Sequence, residues 1–152
     1  MIELDVIKSL FVLRHGESKV NSIKEVGIVQ MQDLAKRIRE IAGDGPYCLL
    51  TSNNERGIQS AEVIARALSL PLDFERSKLL FEVADQKALQ YIEDRRNKAQ
   101  YLIAVGHHHF VDSFPRLFCR QEFGIDTNIR ELLSGEGVNI SIDSHAYELL
   151  AR

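Results

Sequence analysis

The sequence predicts an α/β fold in three layers, with helices on both faces of a central, mostly parallel sheet. Short apolar runs that are typical of buried strands alternate with longer segments whose apolar residues recur at helical spacing. The last two strand-like segments, residues 138–142 and 146–150, flank a tight polar turn, which predicts an antiparallel hairpin at the edge of the sheet. A length of 152 residues suits one folding unit, so residues 1–152 are expected to form a single domain.

The individual elements follow from the apolar pattern and from the residues that end helices. Gly43 and Pro46 stop the first helix, because glycine is favoured just past a helix end and proline cannot continue one. Pro115 falls within the last helix and should kink it or delay its start. The predicted elements, in chain order, are strand 10–13, helix 31–42, strand 48–51, helix 54–69, an extended piece at 71–74, helix 85–98, strand 101–105, helix 109–120 and the hairpin.

Composition and charge argue against several classes of partner. A formal charge of −3 without a basic stripe argues against nucleic acid. No signal-peptide pattern opens the chain, and no apolar run approaches the roughly 18 residues of a membrane span, so a cytoplasmic protein without membrane contact is expected. Cys48 and Cys119 lie among apolar neighbours, where free, buried thiols are typical.

Polar residues follow three of the predicted strands at the point where each strand ends. They are Arg14-His15, Thr51-Ser52 and Gly106-His107. Because the carboxyl ends of parallel strands meet at one edge of a sheet, we expect these side chains to converge, although they are far apart along the chain.

The side chains expected at this edge are suited to phosphate. Arg14 and Arg56, the latter at the start of the second helix, offer planar guanidinium groups that match phosphate oxygens in pairs. His15 and His107 add two imidazoles, and a neutral imidazole nitrogen can attack phosphorus. Surrounding positive charge would disfavour protonation of His15. We therefore hypothesise phosphoryl transfer to His15, with the arginines dispersing charge on the equatorial oxygens.

Four motifs follow one another along the chain. They are Arg14-His15-Gly16-Glu17-Ser18 with Asn21, Gly27-Ile28-Val29-Gln30, Thr51-Ser52 with Arg56 and Gln59-Ser60-Ala61, and Val105-Gly106-His107. Together they resemble the motifs of the histidine phosphatase superfamily, which includes cofactor-dependent phosphoglycerate mutases and many phosphatases. The likeness covers nearly the whole chain. At 152 residues the chain is shorter than the mutases, so the resemblance favours the compact phosphatase branch.

The resemblance implies a role for each matching residue. His15 would be the phosphorylated nucleophile, and His107 a second catalytic residue that also binds the phosphoryl group. Arg14 and Arg56 would bind the phosphoryl group as well, with Asn21 as a supporting contact. The resemblance implies neither a metal ion nor an organic cofactor.

The family's proton donor is usually a carboxylate after the second helix, often in a leucine-x-glutamate setting. Leu80-Phe81-Glu82 is the best match, which makes Glu82 the expected donor and Asp85 its rival. A purely structural role for Glu82 at a helix N-terminus is an equal alternative. His108 and His109 have no role that the family pattern assigns.

The expected function is that of a metal-independent phosphatase acting on phosphate monoesters or phosphohistidine. Its substrate would be a phosphorylated small molecule or a phosphoprotein. A mutase would share the first half of the reaction, and a non-catalytic module of the same fold would bind phosphate without turnover. A metal site on residues 107–109 is a further alternative, but consecutive residues after a strand point in different directions and rarely chelate one ion. The sequence gives no indication of the oligomeric state.

Overall fold

The computed structural model describes residues 7–20 and 22–152. It confirms the three-layer α/β fold, with a mixed, mostly parallel sheet of six strands that has an antiparallel edge. A short 3₁₀ helix, Lys78–Leu80, precedes α3. The elements are β1 (Ser9–Arg14), β2 (Ser18–Lys19), β3 (Ser22–Ile23), α1 (Glu25–Ala42), β4 (Tyr47–Thr51), α2 (Glu55–Ala67), β5 (Glu75–Arg76), α3 (Gln86–Glu93), β6 (Tyr101–Gly106), α4 (His108–Phe123), β7 (Gly137–Ser141) and β8 (Ala146–Leu150).

The order of the strands across the main sheet is β5-β4-β6-β1-β7-β8. β1 lies near the centre, parallel to β6 and antiparallel to β7. β4 pairs in parallel with β6 on one side and with β5 on the other. β7 and β8 form the antiparallel edge hairpin that the sequence predicts. The parallel strands β1, β4 and β6 therefore end at the same edge of the sheet.

Apolar side chains on the two faces of the sheet form two separate halves of the core. Leu10 and Val12 of β1 face one half, and the alternate residues Phe11 and Leu13 face the other. Complete burial of one such side chain stabilises the fold by roughly 1.5–3 kcal/mol. On the first face they pack with α3 and α4, through Ala88, Leu89, Ile92, Phe110, Phe114 and Phe118. On the second face they pack with α1 and α2, through Met31, Leu34, Ile38, Ala61 and Ile64.

One helix begins well before the start that the apolar pattern indicates, and another begins within one residue of it. α1 begins at Glu25 instead of 31, because Val26 and Val29 are exposed and only Gly27 is buried in its first turn, so these residues do not belong to the buried stripe. α4 begins at His108 and continues through Pro115 to Phe123, so the proline does not delay its start.

α3 ends at Glu93, before the predicted end at 98. The backbone N–H groups of Arg95 and Arg96 donate to the carbonyl oxygens of Ile92 and Glu93, three residues back. This spacing is that of tighter turns and not of an α-helix. Residues 94–98 are all polar, so the apolar pattern marks no helix end between Glu93 and Lys98.

Two short strand pairs complete the structure. The extended piece predicted at 71–74 lies just before the actual strand, β5, where Glu75 is opposite Leu50 and Arg76 is opposite Thr51. The segment after β1, expected as a loop, contains the small antiparallel pair of β2 and β3. Among the helices of the described residues, none is both long and apolar enough to cross a membrane.

Candidate active site

The carboxyl ends of β1 and β6 bring the two predicted histidines together. Arg14 is opposite Gly106 in the register of the two strands, and the N–H of His15 donates to the carbonyl oxygen of Gly106 at 3.1 Å. The imidazole rings of His15 and His107 have their centroids 4.7 Å apart. The convergence of strand ends expected from the sequence is therefore present.

The two histidines lie at the floor of an open cavity of about 290 Å³. His15 is 5% exposed and His107 is 3% exposed, whereas the side chains nearer the mouth are half-buried or exposed. Two arginines expected from the sequence contribute to the wall. The lining residues are Arg14, His15, Glu17, Ser18, Arg56, Phe81, His107, His108, His109 and Ser134.

A hydrogen bond fixes the ring of His15 and selects its tautomer. Nδ1 of His15 lies 2.8 Å from the carbonyl oxygen of Gly16. Because a carbonyl oxygen can only accept, Nδ1 carries the proton and Nε2 has the free lone pair. The carbonyl oxygen of His15 in turn accepts the N–H of Gly135 at 2.9 Å, which holds the backbone of His15 in place.

His107 lies directly before α4 and is supported from the side. Its backbone N–H donates to the carbonyl oxygen of Leu80 at 3.2 Å. Its ring packs against the ring of Phe81, with centroids 4.5 Å apart. Gly106 makes this approach possible, because a Cβ there would lie 2.5 Å from the carbonyl oxygen of Leu80.

Burial and nearby positive charge keep both imidazoles neutral at pH 7. Burial is the largest cause that lowers the pKa of His15 to about 4; a backbone hydrogen bond opposes it, and Arg56, Arg14 and His108 add to it. Burial also lowers the pKa of His107 to about 3, with further contributions from His15 and the two arginines. The sequence predicts the effect of charge on His15, but burial is the stronger cause.

The guanidinium of Arg14 is held by a segment near the C-terminal hairpin. Its Nη1 donates to the carbonyl oxygen of Leu132 at 2.5 Å, and its backbone N–H donates to that of Glu136 at 2.8 Å. The carboxylate of Glu136 is 1% exposed and accepts two hydrogen bonds from Arg130. This ion pair lowers the pKa of Glu136 to about 2, so the carboxylate stays charged and the segment stays tied.

Several buried polar atoms at the cavity have no hydrogen-bond partner within the described part of the chain. They include Nε of Arg14, Nε of Arg56 and both ring nitrogens of His107. A buried donor without a partner costs about 1–3 kcal/mol, so such a cluster is unusual in a purely structural region. A tetrahedral oxyanion, with several acceptor oxygens and negative charge, would satisfy these donors.

The loop that follows His15 is packed tightly against α1 and α2. A Cβ at Gly16 would lie 2.5 Å from the carbonyl oxygen of Gly27, so both residues depend on having no side chain. The N–H of Gly16 donates to Oγ of Ser60 at 3.0 Å, and that of Glu17 to Oε1 of Gln30 at 2.9 Å. Ser60 and Gln30 belong to the sequence motifs, but their role as acceptors is visible only in the structure.

The residues proposed as proton donors do not line the cavity. Glu82 is exposed, and only its neighbour Phe81 reaches the cavity wall. Asp85 caps α3, because its Oδ1 accepts two N–H groups of the first turn at 3.0 and 3.1 Å. Asn21, the expected supporting contact, lies outside the described residues. No contact in the structure tests the role of Glu82, which stays a prediction.

His108 and His109 lie at the mouth of the cavity, with their ring centroids 3.7 Å apart. Within residues 7–20 and 22–152, no group of three or more His, Cys, Asp or Glu side chains could hold a metal ion. The described geometry therefore gives no support to a metal site on residues 107–109.

We expect the protein to lose stability as the pH falls from about 6.5 to about 4.5. Both imidazoles have the ordinary pKa of 6.5 in the unfolded chain, whereas in the folded protein the pKa is about 4 for His15 and about 3 for His107. The unfolded state therefore binds more protons in this range, and stability that is complete above the unfolded pKa is lost on acidification. The free energy of unfolding should fall by about 2–3 kcal/mol for each ring.

Urea unfolding followed by circular dichroism at several pH values measures this loss. Most carboxylates titrate below the chosen range, so the histidines dominate it. The variant His107→Asn should show a clearly shallower dependence on pH than the native protein. A free energy of unfolding that is constant across the range would contradict the assignment of two neutral, buried rings.

Comparison with known proteins identifies the fold but no sequence family. No family model matches the sequence, and no curated protein matches it significantly. Solved structures do match, and they show that the chain has the fold of the histidine phosphatases over nearly its whole length.

Three solved structures illustrate the likeness. The protein histidine phosphatase SixA, complexed with tungstate, superposes with a TM-score of 0.70 at 15% identity, covering 93% of each chain. A mycobacterial glucosyl-3-phosphoglycerate phosphatase with VO3 has a TM-score of 0.67 at 10% identity, covering 93% of this chain and 97% of its own. A phosphoserine phosphatase mutant from Entamoeba histolytica has a TM-score of 0.65 at 11% identity, covering 94% of this chain and 95% of its own. At such identities the likeness establishes the fold, and activity must be argued from the site.

Proposed function

We propose that this protein is a metal-independent phosphatase that works through a phosphohistidine on His15. One observation carries the proposal: the free Nε2 of a neutral, oriented His15 lies in a cavity whose buried donors have no protein partner. These donors belong to Arg14, Arg56 and His107. A site for a phosphoryl group and a nucleophile that can attack it therefore occur in the same cavity.

The first step is the binding of the phosphoryl group. Arg14 and Arg56 donate to its oxygens and balance its negative charge. His107 donates from a ring nitrogen, and the bound dianion favours the protonated form of this ring, because opposite charges stabilise each other. The hydrogen bond from Arg14 to Leu132 leaves Nε of Arg14 available, so the guanidinium is already oriented when the substrate arrives.

The second step is the transfer of phosphorus to His15. Nε2 attacks in line, the N–P bond forms, and the bond from phosphorus to the leaving group breaks with its electron pair going to the leaving group. Nδ1 keeps its proton and its hydrogen bond to the carbonyl oxygen of Gly16, which stabilises the positive charge that develops on the ring. The arginines stabilise the charge on the equatorial oxygens.

The third step is hydrolysis of the phosphohistidine. A water molecule attacks phosphorus from the side that the leaving group has vacated, which is the open mouth of the cavity. The N–P bond breaks, its electron pair returns to Nε2, and inorganic phosphate leaves. His15 is then neutral again, ready for a second cycle.

We propose phosphate monoesters or phosphohistidine, free or within a protein, as the substrate class. A cavity of about 290 Å³ holds a phosphoryl group with a small leaving group, and its open mouth leaves room for a larger carrier. The structural neighbours include a protein histidine phosphatase, a phosphoserine phosphatase and a glucosyl-3-phosphoglycerate phosphatase, which supports this class. The free thiols of Cys48 and Cys119 are compatible with the reducing cytoplasm that we propose as the compartment.

Hydrolysis of p-nitrophenyl phosphate by the purified protein tests this function. We expect activity that persists in excess chelator and that vanadate or tungstate inhibits competitively, because both oxyanions suit the donors of the cavity. Brief incubation with substrate followed by alkaline quenching should also trap a phosphorylated protein whose label is lost in acid. Absence of hydrolysis, or loss of activity on chelation, would contradict the proposal.

A further inference from the structure

We infer that His108 is the proton donor for the leaving group. This inference rests on the proposed function and names the residue that completes it. A departing alkoxide or imidazole needs a proton, and the carboxylate expected for this role, Glu82, is exposed and does not line the cavity. His108 belongs to a run of three histidines, residues 107–109, and only the first of them, His107, has a proposed role in binding the phosphoryl group.

The depth of the cavity places His108 beside the leaving group. His15 and His107 are almost completely buried at the floor, so a phosphoryl group attacked by His15 must present its leaving group toward the mouth. His108 follows His107 directly, is half-buried and lines the same cavity. Because it is more exposed than the two buried rings, its side chain lines the part of the cavity nearer to solvent, toward which the leaving group departs.

The electrostatics of the site agree with this position. A charge on His108 lowers the pKa of both His15 and His107, so its imidazole is within electrostatic range of the floor. A bound phosphoryl dianion and an imidazolium at His108 carry opposite charges and attract each other. This attraction holds the donated proton close to the leaving group.

The other proton-bearing groups of the cavity fit this role less well. Glu17 lies on the loop of the nucleophile, and its N–H is tied to Gln30. In-line displacement places the leaving group across phosphorus from His15, which favours a donor outside that loop. His109 is exposed but touches the ring of His108, so it can return a proton from solvent to its neighbour.

The proton balance of the cycle is complete with His108. As the bond from phosphorus to the leaving oxygen breaks, the electron pair goes to that oxygen, which takes the proton of the His108 imidazolium. The neutral His108 then accepts a proton from the water that attacks the phosphohistidine. This second transfer restores the imidazolium, and no further reactant is required.

The dependence of rate on the leaving group tests the inference. For His108→Asn we expect kcat/KM for an alkyl phosphate such as phosphoserine to fall by about 10²–10⁴-fold. Hydrolysis of p-nitrophenyl phosphate should change little, because nitrophenolate leaves without a proton. Across a series of aryl phosphates, the logarithm of the rate should depend more steeply on the pKa of the leaving phenol than in the native protein.

Three control variants sharpen this experiment. His145→Asn replaces an exposed histidine outside the cavity and should leave both substrates unaffected. Glu82→Gln and Glu17→Gln remove the rival acids, and neither should show selective loss on the alkyl substrate. A rise in the melting temperature of His108→Asn when tungstate is added shows that the cavity of this variant is intact. If His108→Asn does not fold, His108→Gln is used in its place.

Each outcome decides for or against the inference. Selective loss in the His108 variant supports it. Equal loss on both substrates, or selective loss in Glu82→Gln or Glu17→Gln instead, overturns it while the phosphatase proposal stands. If the native protein does not hydrolyse p-nitrophenyl phosphate, the proposed function fails and the inference fails with it.

Discussion

Replacing His15 with asparagine is expected to lower turnover of p-nitrophenyl phosphate by at least about 10⁴-fold. Asparagine keeps a polar side chain of smaller size but offers no nitrogen lone pair that can attack phosphorus. The acid-labile phosphorylation of the protein should disappear with turnover. Binding of tungstate should persist, because the arginines and His107 remain in place.

The matched control is His145→Asn, which makes the same change at an exposed position. It should retain full activity and full phosphorylation. Residual turnover near the native level in the His15 variant would mean that another group attacks phosphorus. Trapping of phosphate on a different residue would identify that group and would contradict the assignment of the nucleophile.

Replacing Arg56 with alanine is expected to lower kcat/KM by about 10²–10³-fold. The guanidinium has a buried Nε without a partner in the described residues, and a bound phosphoryl oxygen is the acceptor that the cavity provides. Lysine at this position should restore only part of the loss, because it keeps the charge but not the planar pair of donors. Steady-state kinetics with competitive vanadate inhibition measures both effects.

Arg66→Ala is the control for this change, because it removes an exposed arginine from the last turn of the same helix. It should cost only a few tenths of a kcal/mol of helix stability and leave kinetics unchanged. If Arg56→Ala alters the vanadate inhibition constant no more than Arg66→Ala does, Arg56 does not bind the phosphoryl group.

The sequence predicts the fold well where apolar residues alone decide the structure. Strand 10–13 and its alternation between the two faces follow from burial on both sides of the sheet, and the parallel strand 101–105 follows in the same way. The predicted ends of helices are wrong where local hydrogen bonds, and not apolar burial, determine where the helix stops. α3 ends at Glu93 because Arg95 and Arg96 form tighter turns, and no periodic pattern reports such a change.

The floor of the site is also readable from the sequence. Parallel strands with polar residues at their carboxyl ends predict that Arg14, His15 and His107 meet, and the structure brings them together. The site contacts made by other parts of the chain are not readable. Glu136 and Leu132 hold Arg14 from a segment that carries no motif, and only the folded chain shows this contact.

The proton donor is the least predictable part of the site. A carboxylate such as Glu82 can be chosen by analogy, but the direction of an exposed side chain depends on a loop whose conformation no pattern specifies. Asp85 illustrates the problem, since its carboxylate is engaged by α3. His108, in contrast, is the first residue of α4 and lies two residues after the end of β6. Its position is therefore better defined than that of Glu82.

The central position of β1 has a consequence for biosynthesis. The ribosome makes β1 before its two neighbours, β6 and β7, which end only at Gly106 and Ser141. At translation rates of about 5–20 residues per second, the apolar segment Leu10-Phe11-Val12-Leu13 remains without either partner for on the order of ten seconds. The strand that ends at the candidate site is thus an unpaired apolar segment during synthesis, which is the kind of surface that chaperones shield.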